Sequence, residues 1–346
     1  MRLATLSHIP WPENNLEPRA LIANACDEVV LAEHLGFDSA WFAEHHFSRY
    51  GLGSSSLMVM SHIAAMTKTI ELGTAVLLPA LHNPIKLAED TATLDVLSGG
   101  RLNVGFGRGT EGYEYHGYMV DWEESQRRFR ETIQIVKNLW TQTDVEYDGE
   151  FHKIPKTNLV PRPLQNPHPS VFIAATRTEE TLQYALQSGH MILSGPVADT
   201  EDAINMCQNF IDVASKSGSK ADISEIPFFR YVYVAESEEQ VKEDTEIPLQ
   251  WTFDMIKWRR SLLVESEVNH SISEWKQQNE VESSNFDDLL NNRVIVGTPD
   301  QCIEKILALK EIGIDYFGCN FAFGGLSHEK VTKGMKLFAS EVMPHI

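Results

Sequence analysis

The alternation of short apolar runs with amphipathic segments is the feature that most restricts how this chain of 346 residues can fold. In the first half, the segments RLATLSHI, SAWFAEHH, IELGTAVLL and RLNVGFG are each typical of a strand, and a helical pattern follows each of them. Residues 18–36, for example, carry apolar side chains at helical spacing and end at Gly36. Four successive strand–helix units predict a parallel sheet covered by helices.

The second half continues this alternation. SVFIAA, MILSG, IPFFRYVYVA and YFGCNFAF predict strands five to eight, and helical segments lie between them. Eight such units favour an α/β fold of the (β/α)₈ TIM-barrel type, in one domain spanning residues 1–346. An open doubly wound sheet is the alternative. In a barrel, the functional residues are expected at the carboxyl ends of the strands.

A charged segment separates predicted strands seven and eight, at about residues 237–293. It is longer than a single crossover helix requires and is rich in Glu, Lys and Asp. Its composition is compatible with a solvated excursion from the barrel, and equally with a mobile lid that excludes water from the site.

Charge and cysteine usage exclude several classes of protein. There are 29 Lys+Arg against 49 Asp+Glu, a formal net charge of −20, which disfavours nucleic acid and anionic membrane surfaces as partners. No stretch approaches the roughly 18 apolar residues of a membrane span, and the N-terminus lacks a signal-peptide pattern. The 4 cysteines are scattered without a CxxC pair, so neither a zinc site nor a disulfide framework is indicated. We therefore expect a cytoplasmic protein.

The triplet Glu44-His45-His46 ends the second predicted strand. Consecutive strand residues point to opposite faces, so one histidine should face the barrel mouth and the other should pack inside the protein. Adjacent histidines without a third ligand form a poor chelate, and no metal is predicted. The functional interpretation is a neutral imidazole near its ordinary pKa that moves a proton. A pair of buried, hydrogen-bonded histidines is the structural alternative.

A glycine-rich segment, GFGRGTEGYEYHG, follows the fourth strand. Gly107, Gly109 and Gly112 match GxGxxG, but a dinucleotide fingerprint must continue into a helix, whereas YEYHGYMVDW predicts a loop. Two narrower inferences remain. Glycines allow a ligand to approach the backbone closely, and Arg108 can bind phosphate in a bidentate manner. A glycine-rich turn with a surface arginine is the simpler alternative.

A third candidate lies at Thr176, Arg177 and Thr178, where a helix begins after the fifth strand. Free N–H groups at a helix start suit an anion, although Thr178 could simply cap the helix. Together with Arg108 on a neighbouring strand end, the segment predicts a phosphate clamp. Phosphate, an imidazole and a glycine-lined space indicate a phosphorylated planar cofactor.

Several of these segments, in this order, resemble those of the bacterial luciferase-like flavin-dependent monooxygenases. They are GFDSAWFAEHHF, GTAVLLP, GRLNVGFGRG, VFIAATRTEET, MILS, VGTPDQCIEKI and MKLFASEVMP. The resemblance covers nearly the whole chain and is closer to luciferase α-type subunits than to members that use coenzyme F420. It implies a (β/α)₈ barrel with FMN at its mouth.

The resemblance also implies roles for individual residues. His45 matches a histidine of proton transfer, with Glu44 and His46 completing the triplet. Arg108 matches the arginine that binds the FMN phosphate, and residues 176–178 lie where the family supplies further donors. Residues that would line the flavin are Ala75 and Val76, joined by a non-prolyl cis peptide bond below the ring, Gly107, and Ser194 at the end of strand six.

Two departures from the family pattern bear on activity. Gly107 stands where luciferase α has its reactive cysteine. Thr176 and Arg177 stand where the family has acidic and serine phosphate contacts. These changes put light emission in doubt and leave flavin oxygenation possible.

The reaction implied by the resemblance uses reduced FMN (FMNH₂) supplied by a separate flavin reductase. Oxygen would form a flavin C4a-hydroperoxide that oxygenates an aldehyde or another small organic substrate, with the insertion acting as a lid. Two alternatives stay open: a flavin-binding protein without oxygenase activity, and an F420-dependent oxidoreductase.

An oligomer is also predicted. Residues 55–69 form a helix that is apolar on too many sides for a barrel exterior, and the next helix, near 85–97, carries alanines. The family pairs subunits through these two helices, so we expect a homodimer.

Overall fold

The computed structural model describes residues 1–12, 17–174 and 178–346. The strands within these ranges are β1 (Arg2–Ser7), β2 (Ser39–Phe42), β3 (Glu71–Thr74), β4 (Leu102–Phe106), β5 (Val145–Asp148), β6 (Lys153–Thr157), β7 (Ser170–Ala174), β8 (Met191–Leu193), β9 (Phe228–Val234), β10 (Ile295–Gly297) and β11 (Tyr316–Asn320). The α-helices are α1 (Pro18–Leu35), α2 (Ser56–Met66), α3 (Pro84–Ser98), α4 (Gly112–Gly117), α5 (Ser125–Thr141), α6 (Glu179–Gln187), α7 (Thr200–Ser217), α8 (Glu238–Arg260), α9 (Ile272–Gln278), α10 (Phe286–Asn292), α11 (Pro299–Glu311) and α12 (His328–Leu337).

Local sequence signals set the helix boundaries in the first half. Helix α3 begins with Pro84 behind Asn83, whose side chain accepts hydrogen bonds from two N–H groups of the first turn. It ends at Gly99, where φ is 73°. Helix α1 ends in the same way at Gly36, with φ at 89°. These helices therefore lie where the sequence predicted them.

Nine strands form one parallel sheet in the order β10-β9-β11-β1-β2-β3-β4-β7-β8. Ser194, just after β8, pairs with Phe228 at the start of β9 in a parallel bridge, so the sheet curls. The fold is thus α/β with a curled parallel sheet.

Three strands were missed by the sequence prediction. Strand β10 pairs with the last residues of β9, from Ile295 opposite Val232 to Gly297 opposite Val234. With only 3 residues, it gives no periodicity to recognise. Strands β5 and β6 form a separate antiparallel pair between α5 and β7. Their mostly exposed, polar residues lack a strand pattern.

Large side chains fill the inside of the sheet before the strand ends. The Trp41 ring lies edge-on to Phe172, Phe229 and Tyr316, with ring centroids 5.4, 5.7 and 6.4 Å apart. The Trp41 indole donates a hydrogen bond to Ser39 Oγ at 2.9 Å. This part of the interior is therefore filled by side chains and leaves no room for a ligand.

The charged segment 237–293 contains α8, α9 and α10, and β10 follows it. Helix α8 packs on β9: Leu249, Phe253 and Met255 belong to the same buried cluster as Tyr231 and Tyr233. This part of the segment is therefore a packed layer and not a solvated excursion. A lid function for the segment stays a prediction. Among the described residues, no helix combines the length and apolar character needed to cross a membrane.

Helices α2 and α3 present apolar side chains on both of their faces. Helix α2 buries Met60 and Ile63, while Met58 is 73% exposed. On α3, Leu97 is 60% exposed. The homodimer expected from these helices stays a prediction.

Candidate functional site

A cavity of about 510 Å³ lies at the carboxyl ends of β2, β3, β4 and β7. The predicted site residues that line it are Glu44, His45, Ala75, Val76, Gly107, Arg108 and Thr178. Ser194 lies one residue before Gly195, which lines the cavity, and His46 is buried behind Glu44. Thr176 and Arg177 lie outside the described residues. The structure therefore brings together residues from four separate strand ends.

One wall of the cavity is formed by backbone and small side chains. The peptide bond between Ala75 and Val76 is cis, as the resemblance implied. Gly107 packs directly on this pair: a Cβ atom at Gly107 would lie 2.4 Å from Val76 Cγ2. The Gly107 N–H also donates to Leu77 O at 2.9 Å, which fixes the backbone here. A cysteine side chain at position 107 would thus collide with Val76.

Arg108 and the start of α6 form a cationic part of the cavity wall. The Arg108 guanidinium lies 4.8 Å from the centroid of the Trp122 ring and donates to Ser125 Oγ at 3.4 Å. The hydroxyls of Thr178 and Thr181, which line the same cavity, lie 2.7 Å apart at the first turn of α6. A cation, hydroxyls and a helix N-terminus together suit an anion such as phosphate.

His45 is held by Arg259, a residue of α8 that the sequence did not single out. Arg259 Nη2 lies 3.1 Å from His45 Nδ1. Because a guanidinium only donates, Nδ1 accepts this hydrogen bond and the imidazole hydrogen resides on Nε2. Arg259 is itself fixed: its Nε donates to the Tyr113 hydroxyl at 2.8 Å, and its guanidinium lies 4.4 Å from the Tyr50 ring centroid.

This environment changes the titration expected for His45. Burial and the charge of Arg259 lower the pKa of His45 from 6.5 to about 3. The prediction of an imidazole near its ordinary pKa was therefore wrong, because the sequence could not show a buried arginine beside it. The imidazole stays neutral at physiological pH.

Two carboxylates, Glu111 and Glu114, complete the surroundings of Arg259. An oxygen of each lies 3.6 Å from Arg259 Nη2. Burial and the neighbouring Glu111 raise the pKa of Glu114 above its ordinary value. Burial alone would also raise the pKa of Glu111, but the nearby Arg259 lowers it. Glu114 is thus the group of this cluster whose proton is gained or lost closest to neutral pH.

His45, Glu111 and Glu114 bring their ligand atoms within 4.8 Å of one another, a spacing that a metal ion could also use. The Arg259 guanidinium, however, lies against all three, at 3.1, 3.6 and 3.6 Å. The cation that these groups surround is therefore the arginine of α8, and a metal ion would have to displace it.

Glu44, which also lines the cavity, forms a second cluster with two imidazoles. Its Oε1 lies 2.8 Å from Nε2 of both His46 and His82. Burial by itself would raise the pKa of Glu44, but hydrogen bonds from these two imidazoles lower it from 4.5 to about 2. His46 is further held by the Tyr118 hydroxyl, 3.1 Å from Nδ1. Glu44 and His46 therefore form a hydrogen-bonded structural brace, and the catalytic roles of the triplet stay a prediction.

The sequence missed Glu111 and Glu114 as site residues although they lie in the glycine-rich segment. YEYHGYMVDW was predicted as a loop, but α4 (Gly112–Gly117) forms there and turns Glu114 towards His45. A helix of 6 residues is too short for its periodicity to be recognised. Arg259 carries no local signal either, because its partners are distant in sequence.

The sequence is similar to known proteins over nearly its whole length. Residues 4–316 match the family model described as luciferase-like monooxygenase. The chain is 27% identical to the oxygenase component of a flavin-dependent trigonelline monooxygenase from Acinetobacter baylyi, with 99% of this chain and 95% of that protein covered. It is also 26% identical to an F420-dependent glucose-6-phosphate dehydrogenase of Amycolatopsis mediterranei, with 95% of both proteins covered.

Solved structures show the same fold. Monooxygenase RslO1 from Streptomyces bottropensis has a TM-score of 0.86 at 25% identity, with 100% of this chain and 99% of that chain covered. The oxygenating constituent of a 3,6-diketocamphane monooxygenase from Pseudomonas putida, solved in complex with FMN, has a TM-score of 0.82 at 18% identity, with the same coverage.

Proposed function

Because the chain belongs to the luciferase-like monooxygenase family, we propose that it binds reduced FMN and uses O₂ to oxygenate an aldehyde or another small organic substrate. The observation that carries this proposal is one cavity lined by His45, the cis-linked Ala75 and Val76, Gly107 and Arg108. It offers a proton-moving group, a flat wall and an anion-binding end in one space.

The residues of the cavity fit a flavin mononucleotide. Its volume of about 510 Å³ lies within the range of small-molecule sites, roughly 300–1,000 Å³. Arg108, Thr178 and Thr181 would hold the phosphate. Gly107, Ala75 and Val76 have small or no side chains and would form the wall on which a planar ring lies. Reduced FMN, when bound, supplies the two electrons with which O₂ is activated at the flavin C4a carbon.

The protein's own contribution is proton handling and exclusion of water. His45 Nδ1 accepts from Arg259, so Nε2–H is the group that donates to the reacting atoms. Glu114 Oε1, 3.4 Å from His45 Nδ1, is the neighbouring group that can change its protonation state near neutrality. Helices α8 to α10 would act as the lid. The bridge between Ser194 and Phe228 would close eight of the parallel strands into a barrel, and β10 would be an extra strand paired with the end of β9.

A separate flavin reductase is the proposed source of electrons. The similar trigonelline monooxygenase is named an oxygenase component, which implies a second protein in that system. In the present chain, the match to GxGxxG lies in the cavity wall of a parallel sheet and does not form a second nucleotide domain.

Anaerobic titration with FMNH₂, followed by mixing with O₂ and a panel of aldehydes, tests the proposal. We expect saturable FMNH₂ binding that Arg108→Gln weakens about tenfold, while riboflavin, which lacks the phosphate, binds both proteins equally weakly. Oxygenated product should form only with substrate present. Flavin binding without product would favour a non-oxygenase flavoprotein. Selective binding of reduced F420 would favour the hydride-transfer alternative represented by the relative from Amycolatopsis.

We also propose a homodimer through α2 and α3. The support is the exposed apolar side chains Met58 and Leu97 on these two adjacent helices. Light scattering should give twice the monomer mass. Met58→Glu with Leu97→Asp should give a monomer, whereas Val160→Asp, at another exposed apolar position, should not.

A further inference from the structure

A second cavity, of about 290 Å³, adjoins the first one, and Val197 lines both. Its other walls come almost entirely from the segment after β9: Phe253, Ile256, Lys257 and Arg260 of α8, Ser284, Asn285, Asp288 and Leu289 around α10, and Arg293. The insertion therefore supplies a distinct space beside the proposed oxygenation site.

Three cations line this second cavity: Lys257, Arg260 and Arg293. Arg293 pairs with Asp199 at 2.6 Å, and Asp288 is the only carboxylate among the lining residues. Together with Asp254 and Lys276, which form ion pairs beside Lys257, these seven groups give four positive and three negative charges. The region is thus locally positive in a chain whose formal net charge is −20. Because salt screens charges beyond about 8 Å, nearby groups dominate what an ion experiences in this cavity.

The carboxylates nearest these cations also have other partners. Lys257 Nζ lies 3.8 Å from Asp254 Oδ1, but that oxygen accepts hydrogen bonds from the backbone N–H and the hydroxyl of Ser284. The other oxygen of Asp254 pairs with Lys276 at 2.7 Å. The Asp288 carboxylate accepts from Asn292 at 2.7 Å. Within the described ranges, Arg260 has no ion pair.

We infer that the second cavity binds the oxyanion group, a carboxylate or a phosphate ester, of an organic substrate whose reactive end lies in the first cavity. Lys257 and Arg260 lie one turn apart on α8 and line the same space, while Phe253, Ile256 and Leu289 supply an apolar wall for a carbon chain. Arg260 directly follows Arg259, which holds His45, so the anion site and the proton-moving site share one helix end. This inference rests on the proposed function and narrows its substrate class.

Binding measurements without flavin test the site by itself. Glutarate and propyl phosphate are the anionic probes, and 1,5-pentanediol is the neutral probe matched to glutarate. By calorimetric titration, glutarate or propyl phosphate should bind at least tenfold more tightly than the diol. The anion with the higher affinity shows whether the site prefers a carboxylate or a phosphate ester. The double variant Lys257→Gln with Arg260→Gln should weaken that binding at least tenfold. Lys242→Gln, an exposed lysine on the same helix outside the cavity, should leave it unchanged. Equal binding of the anions and the diol, or no effect of the double variant, would overturn the inference.

Turnover separates this inference from the function on which it rests. With FMNH₂ and O₂, the double variant should raise KM for succinic semialdehyde at least tenfold and leave KM for butanal unchanged. If neither aldehyde is oxidised but anion binding depends on Lys257 and Arg260, the oxygenase proposal fails and the anion site stands. If both are oxidised with equal KM in wild type and variant, the anion site is wrong.

Discussion

Two buried clusters of histidine and glutamate lie side by side at the end of β2, and they behave in opposite ways. In the first, Glu44 lies 2.8 Å from both His46 and His82, and its pKa is lowered to about 2. In the second, Glu114 lies near His45 and Arg259, and its pKa is raised. The same residue types thus give a fixed charge in one place and a titrating group in the other.

The difference follows from the neighbours of each carboxylate. Glu44 accepts hydrogen bonds from two imidazoles, so its charged form is favoured despite burial. Glu114 and Glu111 both lie beside Arg259, and ionising two buried carboxylates around one cation costs electrostatic free energy. A brace and a proton-handling site can therefore be built from adjacent residues of one triplet.

Replacing His45 should have the largest effect on activity. His45→Ala removes the donor at Nε2, and kcat should fall about 10²-fold or more because general acid–base catalysis is lost. FMNH₂ affinity should change little. His46→Ala is the matched control: it removes a partner of Glu44, so we expect a lower Tm and a smaller loss of kcat. Equal loss of kcat in the two variants would contradict the division into brace and reacting group.

Replacing Arg259 should give the next largest effect. Arg259→Met removes the charge that helps to lower the pKa of His45, so this pKa should move up towards 6.5. Activity that requires the neutral imidazole should then fall as pH drops through the new value, so kcat at pH 5 should decrease about tenfold relative to wild type, with little change at pH 7. The pH profile of kcat measures this shift. Because Arg259→Met leaves two buried carboxylates without a cation, Arg259→Lys serves as the second variant and should restore the wild-type profile in part. A profile identical to wild type in Arg259→Met would refute the positioning role.

Glu44→Gln should lower the stability of the folded protein. It weakens buried hydrogen bonds to His46 and His82, and the free energy of unfolding at pH 7 should fall by about 1–3 kcal/mol. Since the pKa of folded Glu44 is lowered from 4.5 to about 2, the wild-type advantage is present above pH 4.5 and is lost as pH falls towards 2.

His82 causes a second loss of stability, at high pH. Burial alone would lower the pKa of His82, but its hydrogen bond to Glu44 raises this pKa above 6.5. The contribution of His82 to the free energy of unfolding is therefore fully present below pH 6.5. It is lost as pH rises through the pKa that His82 has in the folded protein. Denaturant titrations between pH 3 and 9 measure both effects. Glu201→Gln, on an exposed position of α7, should show no comparable pH-dependent loss.

Glu114→Gln should produce the smallest change. Glutamine does not titrate, so the step in the pH profile of kcat that reflects Glu114 should disappear, with kcat at its optimum altered only about threefold. Glu111→Gln sharpens the test, because removing the neighbouring carboxylate should shift that step to lower pH without abolishing it. A step that stays in place in both variants would have to come from another group.

The sequence by itself determined the repeating strand–helix order and the positions where loops must approach a ligand. Apolar runs with proline and glycine boundaries placed α1 and α3 correctly. The triplet at 44–46 and the segment around Gly107 and Arg108 were identified because strand ends converge in a parallel sheet. The structure places Glu44, His45, Gly107 and Arg108 on one cavity, with His46 buried behind Glu44. These features are encoded locally, by periodicity and by residue types with special backbone or charge properties.

Tertiary structure alone decided what surrounds each residue of the triplet. Arg259 lies 214 residues from His45 in the chain, and its hydrogen bond to the imidazole depends on how α8 packs over the strand ends. The second cavity likewise arises where α8, α10 and the loop after β8 meet. Burial and the distances between charges set these pKa values, and neither quantity exists until distant segments have packed together.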